Sequence, residues 1–402
     1  MNSEQKHNKV QWKMVKFDEF FDMLPNNTLS RDKLNDQYGE YQNIHYGDVL
    51  IKYPYCLDCG ENDIPYVNGN VRFNTTQIKD GDVIFADTAE DDTVGKCVEM
   101  MNVGDRKIVS GLHTYLCRPK FAIASGYLGY FLNSNHYHNQ LLPYIAGSKV
   151  SSVNRASIAR TLIFFPSALS EQCRIASILL SADKVIDSTQ KLIAKYKSIK
   201  QGMMEDLLKP KEGWKKVKLG EVGEILSGGT PSTLNDKYWS GNVLFVTPLD
   251  LGRRNEINTT LRTISEYGVN NSSANLITAN SLAVSTRAPI GLMSIVTQNF
   301  TTNQGCKSVE FYESQNNMFH FYNMTYNVEY IRRFGQGTTF MEISKTDFSN
   351  LEFIIPDLSE QCRIASILSS IDKKIESEEK TLEKYKNIKK GLMEKLLKEE
   401  EV

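Results

Sequence analysis

The chain has no apolar run approaching the 18 or so residues a membrane span needs, and no signal segment precedes Trp12. Those absences make a soluble cytoplasmic protein the expectation. Cysteine is sparse, seven scattered over 402 residues without a dense framework, the pattern of reduced intracellular thiols rather than staples. "CLDC" at Cys56 and Cys59 has the spacing of half a zinc site, but the later candidates Cys97, His113 and Cys117 form no second close pair, so no metal is expected. An excess of either charge is also missing: 47 Lys and Arg face 48 Asp and Glu, a net charge of -1. Contact with nucleic acid would therefore have to come from local patches or be shared with partners.

What the chain does have is a repeat. "LSEQCRIASIL" begins at Leu169 and again at Leu358, and residues 169–209 match 358–398 at 28 of 41 positions, at a constant offset of 189. Fainter likeness extends both ways. "GSKVSSVNRASIARTLIFFP" from Gly147 aligns with "GTTFMEISKTDFSNLEFIIP" from Gly337, and "GWKKVKLGEVGEIL" from Gly213 echoes "QWKMVKFDEFFDML" from Gln11. The order is module, connector, module, connector.

Both connectors read as helices. Ile175, Leu179, Ala182, Ile186, Ile193, Tyr196, Met203 and Leu207 follow steps of three and four, broken at Thr189 and Lys200. Ile364, Leu368, Ile371, Ile375, Leu382, Tyr385, Leu392 and Leu396 repeat the stripe, broken at Glu378 and Lys389. Ser170 and Ser359 sit where an N-cap belongs, and Pro210 closes the first helix. About 40 residues at 1.5 Å each make a rod of roughly 60 Å, longer than a module is wide, so the two stripes are expected to pack on each other. "GWKKVKL" and "FSNLEFIIP" open and close a module as short strands that would pair, putting its two ends together. The second helix must then run back along the first as an antiparallel coiled coil with a pseudo-twofold repeat. A second apolar strip, Leu180, Ile199, Met204 and Leu208 with Ile388, Met393 and Leu397, suits either partner helices or burial on the modules. Gly202 and Gly391 mark either close approach of a neighbouring backbone or frayed ends.

The modules read as mixed α+β domains with small twisted sheets. "DGDVIFADTAEDDTVGKCVEM" (80–100) and "ANSLAVSTRAPIGLMSIV" (279–296) are strand, turn, strand. Aromatic helical stretches follow, "GYLGYFLNSNHYHNQL" and "MFHFYNMTYNVEYIRRF", the second capped by Arg332 and Arg333.

A proline followed by "LSEQ..IASIL" on a long helix, with a "GT" or "GS" segment ahead of it, all present twice, resembles the specificity subunit of type I restriction-modification systems over essentially the whole chain. The first module carries Gly147–Ser148 where the second carries Gly337–Thr338. The resemblance implies two target recognition domains, 1–168 and 213–357, and two spacer helices, 169–212 and 358–402. It implies a split double-stranded DNA sequence read by this chain, and two modification subunits that methylate adenine. Restriction subunits would cleave, and no membrane is involved.

Catalysis is not expected of the chain itself. It contains no Asp/Asn-Pro-Pro-Tyr/Phe methyltransferase motif and no FxGxG-type loop. "EDDTVGKC" fails as a phosphate loop because Glu90 and Cys97 replace its glycine and its hydroxyl residue. Glu378, Glu379 and Lys380 imitate a nuclease cluster but read as a solvated coil face. No catalytic residue and no cofactor are expected. Base readers would be polar or basic loop residues: Lys52, Arg72, Ser148 and Lys149 in the first module, and Arg253, Arg254, Arg287, Gln336, Thr338 and Thr339 in the second. A non-catalytic two-headed protein scaffold with the coil as spacer is the alternative, and an RNA clamp, lacking an RNP-like aromatic signature, a third.

Overall fold

The computed structural model describes residues 10–69, 75–147, 149–335 and 342–398. The chain forms two compact units, residues 1–190 with 380–402, and residues 191–379. The long helices Leu169–Leu208 and Leu358–Leu396 therefore each contribute one part to either unit. No helix among the described residues is long and apolar enough to cross a membrane.

In the first unit Trp12–Lys16 pairs antiparallel with Leu162–Pro166, Trp12 opposite Pro166. In the second, Lys215–Lys218 pairs with Glu352–Ile355, Lys215 opposite Ile355. The expected closure of each module on its own beginning is borne out. Each opening strand runs into one helical turn whose apolar pair, Phe17 and Phe20 or Leu219 and Val222, is buried.

Both units contain a five-stranded sheet of the same topology. In the first the order is Phe21–Leu24, Thr114–Pro119, Val83–Ala86, Cys97–Met101, Cys56–Asp58. In the second it is Gly223–Ser227, Cys306–Phe311, Ser281–Ser285, Met293–Val296, Glu256–Ile257. Only the last strand of each joins its neighbour in parallel. The strand, turn, strand segments form the middle of these sheets, fully buried over the apolar run Val83–Ala86 and over Ser281–Ser285, where three apolar residues lie between two buried serines. The units differ in their second sheet: four strands in the first, and three, Arg262–Ile264, Trp239–Val246 and Phe300–Thr302, in the second.

The helical stripe packs as its period requires. Ile175, Ala176 and Leu179 join the first unit's core together with Leu397, and Leu392, Met393 and Leu396 pack against it. Met204, Leu208, Ile364, Ala365 and Leu368 lie in the core of the second. In the second unit Lys197 pairs with Glu379 and Lys200 with Asp372: rising numbers on one helix meet falling numbers on the other, so the two run antiparallel there.

One expectation needs correction and two left open are narrowed. The helices begin at Leu169 and Leu358, before the serines. Ala168 and Asp357 take the cap position: the Ala168 carbonyl accepts the first helical N–H bonds, and the Asp357 carboxylate accepts from Glu360 N at 2.9 Å. Gly202 and Gly391 lie inside their helices, and a Cβ on either would meet nothing within 4 Å. Neither sits at a frayed end, and no neighbouring residue of this chain comes close to either. Most of the second apolar strip is taken up by the modules, with Met204, Leu208 and Leu397 buried; Ile199 and Ile388 stay exposed.

Candidate nucleic-acid interface

Of the expected base readers, Arg72, Ser148, Gln336, Thr338 and Thr339 lie outside the described residues. Lys149, next to Ser148, is exposed. Lys52 ends a single helical turn, donates to the Asp63 carbonyl at 2.7 Å and lies 5.4 Å from the Tyr53 ring. Arg253 and Arg254 are exposed on the loop ahead of the short strand Glu256–Ile257.

Arg287 is less free. Its Nε donates to Glu342 at 2.8 Å, and the nearly buried Lys307 approaches the other oxygen of the same carboxylate at 3.6 Å. Burial pulls the Lys307 ammonium below its ordinary pKa, against the opposing pull of Glu342. Arg287 thus braces the segment that follows 336–341 through an ion pair within the unit.

Two surface clusters escaped the sequence reading. In the second unit the guanidinium of the exposed Arg262 stacks 3.6 Å from the centre of the Trp239 ring, with Phe245 edge-on to that ring. The residues are 23 positions apart and meet only because their strands pair antiparallel, so no local pattern announces them. In the first unit His45, Tyr46 and His113 form a chain of ring contacts, and the exposed His113, at φ 53°, directs Nδ1 to Asp87 Oδ1 at 3.2 Å. Stacked aromatics and arginines at a surface offer flat faces and donors to nucleic acid.

Other striking residue types are accounted for by packing. Cys56 donates to the Gly126 carbonyl and Cys59 to the Leu57 carbonyl. Burial pushes the Cys59 thiol up to about 11 and Cys306 to about 12, so these are inert core groups rather than nucleophiles. His320 stacks on Phe311 with ring centres 4.3 Å apart.

A family model for the type I restriction modification DNA specificity domain matches residues 9–197 and again 211–387. The chain belongs to this family and carries its DNA specificity domain twice. Among curated relatives, the MjaIX specificity subunit of Methanocaldococcus jannaschii is 30% identical over 179 residues, 44% of this chain but only 41% of that protein. The putative MjaX specificity subunit of the same organism is 28% identical over 79% of this chain and 77% of its own length. The EcoR124I/EcoR124II specificity subunit of Escherichia coli is 29% identical over 51% of this chain and 52% of that one. The fold is also similar to the type I S subunit from M. genitalium (14% identity, TM-score 0.61, 99% of both chains). A chain from a type I R-M system, solved to explain its assembly and conformational transition, matches at 19% identity and TM-score 0.57, over 97% of this chain and 99% of that chain.

Proposed function

We propose that the chain reads a two-part double-stranded DNA target, residues 1–168 reading one half-site and 213–357 the other, with 169–212 and 358–402 as the spacer that fixes the gap. The observation that carries this is the doubled specificity domain: one five-stranded scaffold in each unit, bearing unlike second sheets, as two different half-sites on one frame require. Lys52, Arg72, Ser148 and Lys149, with the His113 cluster, are the proposed contacts of the first module. Arg253, Arg254, Arg262, Arg287, Gln336, Thr338 and Thr339 are those of the second. Bidentate arginine to guanine and amide to adenine supply sequence, and basic side chains on phosphates supply register.

The chemistry belongs to partners. Two modification subunits would flip and methylate the target adenines, and restriction subunits would cleave, in the cytoplasm. Exposed Ile199 and Ile388, each three residues before an open glycine on its helix, Gly202 or Gly391, suit the seat of a partner helix.

The test is a binding titration on random duplexes at two salt concentrations. DNA recognition gives an affinity that falls steeply with salt through counterion release. A two-headed protein scaffold, the reading the family match disfavours, gives no salt-dependent DNA affinity, and that result would end the proposal.

A further inference from the structure

Asp183 and Lys200 lie seventeen residues apart on the first long helix, about 25 Å along its axis, and cannot meet. Each pairs instead with the repeat equivalent of the other. Lys389 Nζ is 2.6 Å from Asp183 Oδ1 in the first unit, and Lys200 Nζ is 2.6 Å from Asp372 Oδ1 in the second. All four side chains are mostly covered, between 17 and 27% exposed.

Both pairs are tied to their modules. The second oxygen of Asp183 accepts the Tyr130 hydroxyl at 2.6 Å, and that of Asp372 accepts the Tyr322 hydroxyl and Asn255 Nδ2, each at 2.6 Å. Lys389 lies 4.6 Å from the Tyr55 ring and 5.3 Å from the Tyr130 ring, and Lys200 lies 5.5 Å from that of Tyr322. Burial above all, with the neighbouring aspartate adding to it, holds both phenols above their ordinary pKa, so they stay donors.

The placement of the two lysines is the telling feature. Lys200 and Lys389 interrupt the apolar stripe of their helices, at positions where a leucine or methionine would pack. A charged residue on a coil seam weakens packing and specifies register and pairing. Sliding one helix by a turn, about 5.4 Å, would separate both pairs at once and strand a covered carboxylate in each unit.

We propose that Lys200–Asp372–Tyr322 and Lys389–Asp183–Tyr130 are positioning networks for target recognition, each fixing the pose of one module on the helix pair, and that together they set which gap between half-sites is accepted. This rests on the two-part recognition proposed above. The bases read in each half-site do not depend on the networks.

The test uses the full-length chain, duplexes carrying both half-sites, and gaps varied one base pair at a time. Lys200→Met together with Lys389→Met completes the apolar stripe but leaves each covered aspartate without its cation, so the variant should keep wild-type helicity and unfold at a lower thermal midpoint. Wild type is expected to bind one gap length at least tenfold better than its neighbours. The double Met variant should bind two or more adjacent gaps within about threefold of one another, with unchanged half-site bases. Lys200→Arg with Lys389→Arg, which keeps both charges, should restore the single gap. A folded Met variant as selective for gap length as wild type overturns this proposal alone. If wild type selects no two-part site, the recognition reading falls and this proposal with it. Should the Met pair fail to fold, Tyr130→Phe with Tyr322→Phe and Asn255→Ala removes the hydrogen bonds to the modules while keeping both ion pairs, and an undiminished gap preference there is equally fatal.

Discussion

Gln172 and Gln361, 189 residues apart, make the same pair of hydrogen bonds in their two units. Gln172 Oε1 accepts from Ala124 N at 2.8 Å while its Nε2 donates to the Pro166 carbonyl at 2.7 Å. Gln361 Oε1 accepts from Asn316 N at 2.9 Å while its Nε2 donates to the Pro356 carbonyl at 3.0 Å. Each glutamine is buried and satisfies two backbone groups at the corner where the module's last strand turns into the long helix. The identity of the eleven-residue motif follows. Its Gln, first Ile, Ala and last Leu are buried against the module, its opening Leu is exposed, and its Glu and Arg pair with each other on the outside, Glu171 with Arg174 and Glu360 with Arg363.

Gln361→Leu should therefore cost the second unit about 3 kcal/mol, because a buried N–H and a buried carbonyl lose their partners together. Trp214 and Trp239 lie in the second unit and Trp12 in the first. Urea unfolding followed by fluorescence in a Trp12→Phe background should show a lowered midpoint, and Gln172→Leu should leave that signal nearly unmoved.

The two units should respond to pH in opposite directions. In the first, Glu99 is buried and caps a turn, accepting from Gly126 N and Gly129 N at 2.7 Å each. Gly126 sits at φ 87°, where glycine is at home. Burial pushes the Glu99 carboxyl up to about 7 despite the lowering pull of those backbone donors. A raised folded pKa contributes stability that is complete below 4.5 and lost as pH rises to about 7, at up to about 1.4 kcal/mol per pH unit. Glu99→Gln should flatten that slope.

In the second unit burial pulls His320 down to about 3. A lowered folded pKa gives stability that is present above 6.5 and lost as pH falls toward 3. Unfolding of each unit at pH 5 and pH 7, read by its own tryptophan, checks both signs. Parallel slopes in the two units would contradict them.

Gly202→Ala and Gly391→Ala should each stabilise the isolated chain by about 1 kcal/mol, since both positions are helical and a Cβ there meets open space. Thermal unfolding of the isolated chain measures it. If the glycines seat partner helices as proposed, the same variants should lose co-assembly with the modification subunits in a pull-down.

The fold was legible where local chemistry dictates it. The 189-residue offset, the three-and-four apolar spacing and the paired opening and closing strands came from short patterns whose physics is local. The second sheets were not legible, because four and three short strands with mixed burial carry no period. The binding surface was harder still: Arg262 meets Trp239 only through sheet pairing, and the Glu342 that holds Arg287 lies 55 residues further along the chain. The seam lysines were visible as interruptions, but their partners lie on the other copy of the repeat, which no spacing within one helix could reveal.

Inserting one helical turn into each long helix, after Gln190 and after Glu379, should lengthen the accepted gap by one to two base pairs, since a turn adds about 5.4 Å and a base pair about 3.4 Å. Duplexes of graded gap report it.

Selection of bound molecules from a random duplex pool, followed by sequencing, is the most direct measurement of whether two unlike heads share one address. The expected result is a consensus of two short, different blocks separated by an unselected gap of constant length, with Arg253→Ala and Arg254→Ala altering one block only. A single continuous block, or two blocks at variable separation, would contradict it.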